Sequence, residues 1–78
     1  MDSEIKLILA KTFKLETAKI NEDSSIDSIE SWDSLSHVNL VMALELGFDI
    51  TFTTDEILDM LNYKIIKNII ETKLNKKN

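Results

Sequence analysis

The sequence predicts an all-α fold, a bundle of four helices with a long first loop and a short third helix. Proline is absent and Gly47 is the single glycine, so the turn residues typical of β-hairpins are missing. Apolar residues recur at spacings of three and four in several stretches, which is the periodicity of helices packed on one face. Polar stretches separate these segments. We expect residues 1–78 to form one small domain that closes on apolar packing alone.

The first helix is expected from residue 3 to about residue 14, with Asp2 or Ser3 as its cap. Its apolar stripe consists of Ile5, Ile8, Leu9, Thr12 and Phe13. A polar connection follows over residues 15–31, and loops of this length in compact domains are usually functional or disordered. Three isoleucines, Ile20, Ile26 and Ile29, predict that this loop is pinned to the core.

The second helix is expected over residues 33–46, between Asp33 as the N-cap and Gly47 as the C-terminal cap. Its periodic positions are Leu35, Val38, Val41, Met42 and Glu45, while Leu40 and Leu44 widen the apolar surface toward a second side. Such a helix has more apolar surface than one packing face needs. We therefore expect part of it to remain available at the surface.

Ser34 is predicted to lie exposed in the first turn of this helix. The unpaired amides and the positive end of the helix dipole favour a phosphate group there. The neighbouring serines, Ser24, Ser25, Ser28 and Ser31, are expected to make local turns by hydrogen-bonding the backbone. Trp32 is expected to be a packing anchor, and His37 an exposed helix residue.

The rest of the chain predicts a connector and two further helices. Phe48, Ile50 and Phe52 alternate with polar residues, and with no partner strand we expect an extended connector whose apolar residues enter the core. Thr53 and Glu56 have capping-box spacing and open a short helix through residue 60. The last helix is expected to start after Asn62 as its cap. Its apolar face would be Ile65, Ile66, Ile69, Ile70 and Leu74, and its polar face and tail Lys67, Lys73, Lys76 and Lys77.

Charge is distributed unevenly along the chain, which has 14 acidic and 9 basic residues. All the basic residues are lysines, and none lies between Ile20 and Tyr63, where ten acids occur. This negative surface would repel nucleic acid and attract proteins with basic docking patches. The acidic N-terminus and short apolar runs predict a cytoplasmic protein without a membrane span.

The chain has no cysteine, so it offers neither a disulfide nor a thiolate metal site. Asp23, Ser25 and Asp27 lack the central glycine and final glutamate of a calcium-binding EF-hand loop. Ser34 and His37 do not indicate a hydrolase, because the sequence around Ser34 has no Gly-x-Ser-x-Gly nucleophile elbow. We therefore expect no metal site and no catalytic residues.

Asp33-Ser34-Leu35, followed by Val38, by Leu40 to Glu45, and by Phe48 and Ile50, resembles the acyl carrier protein family and its peptidyl-carrier relatives. The resemblance implies a non-enzymatic, monomeric four-helix carrier in which Ser34 bears covalent 4'-phosphopantetheine from coenzyme A, between Asp33 and Leu35. It implies that acyl or aminoacyl groups are carried on this arm as thioesters. The implied partners are a phosphopantetheinyl transferase, an acyl- or aminoacyl-activating ligase and downstream synthases. The implied partner-facing residues are Leu35, Val38, Met42 and Glu45.

The second helix departs from the pattern of fatty-acid carriers, which usually have acids where this chain has Ser36, Asn39 and Leu46. The departure favours a freestanding, specialised carrier in polyketide, lipid or aminoacyl biosynthesis over housekeeping fatty acid biosynthesis. Two alternatives stay open. The chain could be a carrier-like interaction module with Ser34 unmodified, or a regulator bound through its acidic surface.

Overall fold

The computed structural model describes residues 2–77, with side chains through residue 75. It contains four α-helices, α1 (Asp2–Phe13), α2 (Ser34–Phe48), α3 (Thr54–Asp59) and α4 (Tyr63–Lys77), and a short 3-10 helix at Thr17–Lys19 that was not predicted. The described residues form no strand, only an isolated bridge between Ser25 and Asn62. The all-α prediction is confirmed.

One apolar core joins α1, α2, α4 and the long loop. Tyr63, Met60 and Leu40 lie fully inside it, and the loop contributes Ile20, Ile29 and Trp32. The other buried apolar residues are Ile5, Leu9, Ala10, Phe13, Val41, Leu44, Ile66 and Ile70. Ile26, Ile50 and Phe52 are partly buried against this core, which confirms that the loop and the connector are pinned by their apolar residues.

The long loop is also fastened at its end. The ring of Trp32 stacks on that of Phe13, the last residue of α1, with centroids 4.8 Å apart. The Ser31 hydroxyl donates a hydrogen bond of 2.9 Å to the Phe13 carbonyl oxygen. The expectation that Ser31 makes a local turn is therefore wrong, because its partner lies on another helix.

The predicted start of α1 needs correction. Asp2 and Ser3 both lie within the helix, so neither caps it from outside. The Asp2 carboxylate instead accepts a hydrogen bond from the Tyr63 hydroxyl at 2.9 Å and pairs with Lys67 at 2.9 Å. Asp2 thus ties the first turn of α1 to α4.

The end of α2 also differs from the prediction, because Gly47 lies inside the helix. The helix runs through Phe48, and Asp49 ends it in the left-handed conformation with a φ of 53°. A Cβ atom at Gly47 would lie 3.0 Å from Cδ1 of Ile8. The missing side chain therefore lets α1 and α2 approach closely.

The predicted caps of the last two helices are present. Thr53 and Glu56 form the capping box, with the Thr53 amide donating to the Glu56 carboxylate at 2.8 Å. The Asn62 side chain accepts from the Ile65 amide at 2.9 Å. Ile65 itself is exposed, unlike the other predicted apolar residues of α4. The predicted roles of the Lys76 and Lys77 side chains lie outside the described residues.

The third helix, α3, has no fully buried residue, but Ile57 is partly buried against the core. Glu56 pairs with Lys73 of α4 at 2.8 Å. Within residues 2–77, no helix combines the length and the apolar character that crossing a membrane requires.

Candidate functional site

The start of α2 is fixed by Asp33. Its backbone is extended, and its side chain accepts a hydrogen bond of 2.8 Å from the Ser36 amide, as expected for an N-cap. This bond from Ser36 lowers the pKa of the Asp33 carboxyl. The carboxylate is therefore charged at neutral pH and is directed at the backbone of the first turn.

Ser34 is the first residue of α2 and its side chain is exposed. Its hydroxyl forms no hydrogen bond to another described residue. Amides in the first turn of a helix have no intrahelical partner, so an anion bound to this hydroxyl would lie near their positive charge. The position is accessible and electrostatically suited to a phosphate.

The other four serines of this region are engaged elsewhere. Ser24 is buried and accepts from the Asn21 amide at 2.9 Å, while Ser28 accepts from the Ser25 amide at 2.8 Å. Ser31 is bonded to α1, as described above. Of these five serines, Ser34 alone combines exposure with a free hydroxyl.

One face of α2 below Ser34 is apolar and open to solvent. We call it the α2 stripe, and it consists of Leu35, Val38, Met42 and Leu46, which are 72%, 54%, 55% and 84% exposed. The opposite face, with Leu40, Val41 and Leu44, is buried. Leu46 was not among the predicted contact residues, although its spacing of four from Met42 puts it on the same face. Exposed apolar surface of this kind marks an interaction site when it is contiguous.

Glu45 occupies a different place from the rest of the predicted contact residues. It is half-buried, and its carboxylate accepts a hydrogen bond of 2.9 Å from the Phe52 amide. It thereby fixes the connector to the last turns of α2. Its contact with a partner stays a prediction.

His37 is half-buried rather than exposed, so that prediction is wrong. Its Nδ1 accepts from the indole nitrogen of Trp32 at 3.0 Å, and its Nε2 contacts the carbonyl oxygen of Ile57 at 2.8 Å. Both ring nitrogens are thus used within the fold, and neither is free to activate Ser34. The described residues also contain no group of three potential metal ligands.

Among the described residues, this arrangement places an exposed hydroxyl at the start of α2, next to an exposed apolar stripe on the same helix. Such a site is suited to being modified and recognised by other proteins.

Comparisons with known proteins identify the fold. No protein-family model matches the chain, and no curated protein matches it significantly. Among solved structures, the solution structure of a holo acyl carrier protein from Geobacter metallireducens matches with a TM-score of 0.85 and 28% sequence identity, covering 99% of this chain and 91% of that one. Both the fold and the sequence similarity therefore extend along almost the whole chain. The chain therefore has an acyl-carrier-like fold, and its similarity to that carrier protein covers almost its whole length.

Proposed function

We propose that this protein carries acyl or aminoacyl intermediates as thioesters on a 4'-phosphopantetheine arm attached to Ser34, and delivers them to partner synthases. The observation that carries the proposal is the exposed Ser34 hydroxyl, which directly follows the Asp33 cap of α2. This hydroxyl forms no hydrogen bond to another described residue. The solved structure that the chain resembles is itself a holo acyl carrier protein, which supports the same assignment.

Attachment requires the Ser34 oxygen to act as a nucleophile in a partner's active site. The oxygen would attack the β-phosphate of coenzyme A, forming the serine phosphodiester as the pyrophosphate bond breaks and 3',5'-ADP leaves. The Asp33 carboxylate accepts a hydrogen bond from the Ser36 amide through Oδ1 and so holds the first turn of α2. In this proposal a Mg²⁺-dependent transferase accepts the proton and supplies the metal.

Once attached, the arm supplies the terminal thiol that this cysteine-free chain lacks. The residues of the chain hold the base of the arm. The phosphodiester would lie at the N-terminus of α2, where a negative charge is stabilised by about 0.3–1 kcal/mol. Asp33 keeps the first turn in the geometry that presents the group.

Partner enzymes would dock on the α2 stripe beside the arm. Leu35 follows Ser34 directly, and Val38 and Met42 continue the same exposed face. A flexible methionine suits a surface that is used by several enzymes. Exposed acids around this helix would steer basic partners toward it. Because α2 itself carries no acid other than Glu45, we place the carrier in a specialised pathway of polyketide, lipid or aminoacyl biosynthesis.

Intact-mass measurement tests the proposal. Incubation with coenzyme A and a broad-specificity phosphopantetheinyl transferase should add the mass of one arm to the protein and nothing to Ser34→Ala. Ser3→Ala, which alters another exposed serine, should be modified like the wild type.

Two results would contradict the assignment. The wild type could gain no mass from a transferase that modifies another carrier, or Ser34→Ala could still gain it. The first result would favour the carrier-like interaction module with an unmodified serine.

A further inference from the structure

A groove of about 520 Å³ lies between the end of α1 and the long loop. Its floor is apolar and includes Phe13 and Ile29, which are almost fully buried. Lys14, Lys19 and Glu30 contribute charged groups to its rim. The volume lies within the range of roughly 300–1,000 Å³ that is typical of small-molecule sites.

This groove lies at the same end of the bundle as Ser34. Ser31 belongs to its wall and is bonded to the carbonyl oxygen of Phe13, while Trp32 stacks on the Phe13 ring. Three residues of chain span at most about 11 Å, so Ser34 is no farther than that from Ser31. A phosphopantetheine arm is long and flexible enough to bring a group from Ser34 to the groove.

The charges on the rim select the kind of group that fits. Lys14 and Lys19 are exposed, and neither side chain forms a hydrogen bond or ion pair with another described residue. Glu30 is the single acid among the lining residues, so the rim is positive on balance in a chain whose net charge is −5. Two unpaired ammonium groups beside an apolar floor favour a ligand with a short hydrocarbon segment and a carboxylate.

We infer that the groove receives the free end of the cargo, and that this cargo is an acyl group with a carboxylate at that end. The inference rests on the proposed function of Ser34. The hydrocarbon segment lies against Phe13 and Ile29, and the carboxylate lies between Lys14 and Lys19. A cargo that ends in an ammonium group would place that group beside these lysines, which disfavours it.

The test uses two cargoes of equal length that differ in charge. The protein is loaded with amide-linked glutaryl or pentanoyl phosphopantetheine, and loading is checked by intact mass. Backbone amide chemical shifts are then compared with those of the protein carrying the unacylated arm. Glutaryl loading should shift the amides of Leu15 and Ile29, and these shifts should exceed those from pentanoyl loading by up to about fivefold, the largest gain in bound population that an exposed ion pair typically gives.

Lysine variants show whether the rim causes the effect. The double variant Lys14→Gln, Lys19→Gln should reduce the glutaryl shifts to the pentanoyl level. Lys64→Gln removes an exposed lysine of α4 that does not line the groove and should leave them unchanged. Glutaryl shifts that equal the pentanoyl shifts, or that lie outside the groove, overturn the inference while Ser34 attachment stands. A protein that gains no mass overturns the proposed function, and the cargo site with it.

Discussion

The indole N–H of Trp32 donates a hydrogen bond of 3.0 Å to Nδ1 of His37. The indole nitrogen can only donate, so Nδ1 is the acceptor and the neutral imidazole carries its proton on Nε2. Nε2 then donates to the carbonyl oxygen of Ile57 at 2.8 Å. His37 thus joins the end of the long loop, α2 and α3. Among the described residues, this bond connects α3 to α2, and the pair between Glu56 and Lys73 connects α3 to α4.

Replacing His37 with leucine should destabilise the fold. The substitution removes the acceptor of the indole N–H of Trp32, a residue that is 3% exposed, whereas the Ile57 carbonyl keeps its bond from the Met60 amide. Leaving one buried polar group unpaired costs about 1–3 kcal/mol, so we expect the free energy of unfolding to fall by about 2 kcal/mol. Urea unfolding followed by the fluorescence of the single tryptophan measures this change.

Asn39→Leu is the matched control for His37→Leu. Asn39 is exposed on the same helix, and its replacement should change the free energy of unfolding by less than about 0.5 kcal/mol. Equal effects of the two substitutions would show that the His37 bonds contribute nothing specific.

The carboxylate of Asp2 should make stability depend on pH in the acid range. The bond from Lys67, followed by that from Tyr63, lowers the pKa of Asp2 in the folded protein. A lowered pKa stabilises the fold above the unfolded pKa of about 3.9, and this contribution is lost as the pH falls through the folded value. Asp2→Asn should therefore lower the urea midpoint at neutral pH, and its difference from the wild type should shrink below about pH 4.

Asp27→Asn provides the comparison for Asp2→Asn. Asp27 is exposed, and its side chain forms no hydrogen bond or ion pair with another described residue. This variant should follow the wild type across the same pH range. A deficit of Asp2→Asn that stays constant from neutral to acid pH would show that the charge of Asp2 does not contribute.

The helix starts that depend on local contacts follow from the sequence. The caps at Asp33, Thr53 and Asn62 each bond a residue three positions ahead, so the pattern and its partner lie in one short window. The end of α2 was missed because Gly47 serves a contact with Ile8, which belongs to another helix. In the sequence, a glycine that caps a helix cannot be distinguished from one that allows close contact with another helix.

The candidate site also combines features that depend on local sequence with features that depend on distant segments. The exposure of Ser34 follows from its place behind a cap, and the structure agrees. The burial of His37 depends on its contacts with Trp32 and Ile57, which belong to two other segments. No local sequence pattern predicts these contacts. Long-range contacts between polar side chains are therefore what the sequence did not reveal.

Gly47→Ala should show how tightly α1 and α2 pack. Alanine favours the helix interior over glycine by up to about 1 kcal/mol, but its Cβ would lie 3.0 Å from Cδ1 of Ile8. We expect these effects to offset each other, with a change of less than about 1 kcal/mol in the free energy of unfolding. Chemical unfolding of the single variant measures the balance.

The Ile8→Val background separates the two effects, because it removes Cδ1. Gly47→Ala should stabilise that protein by about 0.5–1 kcal/mol. The same effect in both backgrounds would mean that Ile8 does not limit the space beside Gly47.

Leu35→Ala should impair docking without impairing folding. Leu35 is 72% exposed, so its truncation removes little buried surface and should change the free energy of unfolding by less than about 0.5 kcal/mol. If the transferase docks on the α2 stripe, the kcat/KM for modifying Ser34 should fall roughly tenfold, corresponding to the loss of about 1.4 kcal/mol of contact. The control is Leu7→Ala, which truncates an exposed leucine on α1 and should be modified at the wild-type rate. Equal rates for the two variants would place the docking surface elsewhere, whereas a further decrease in Leu46→Ala would extend it to the foot of α2.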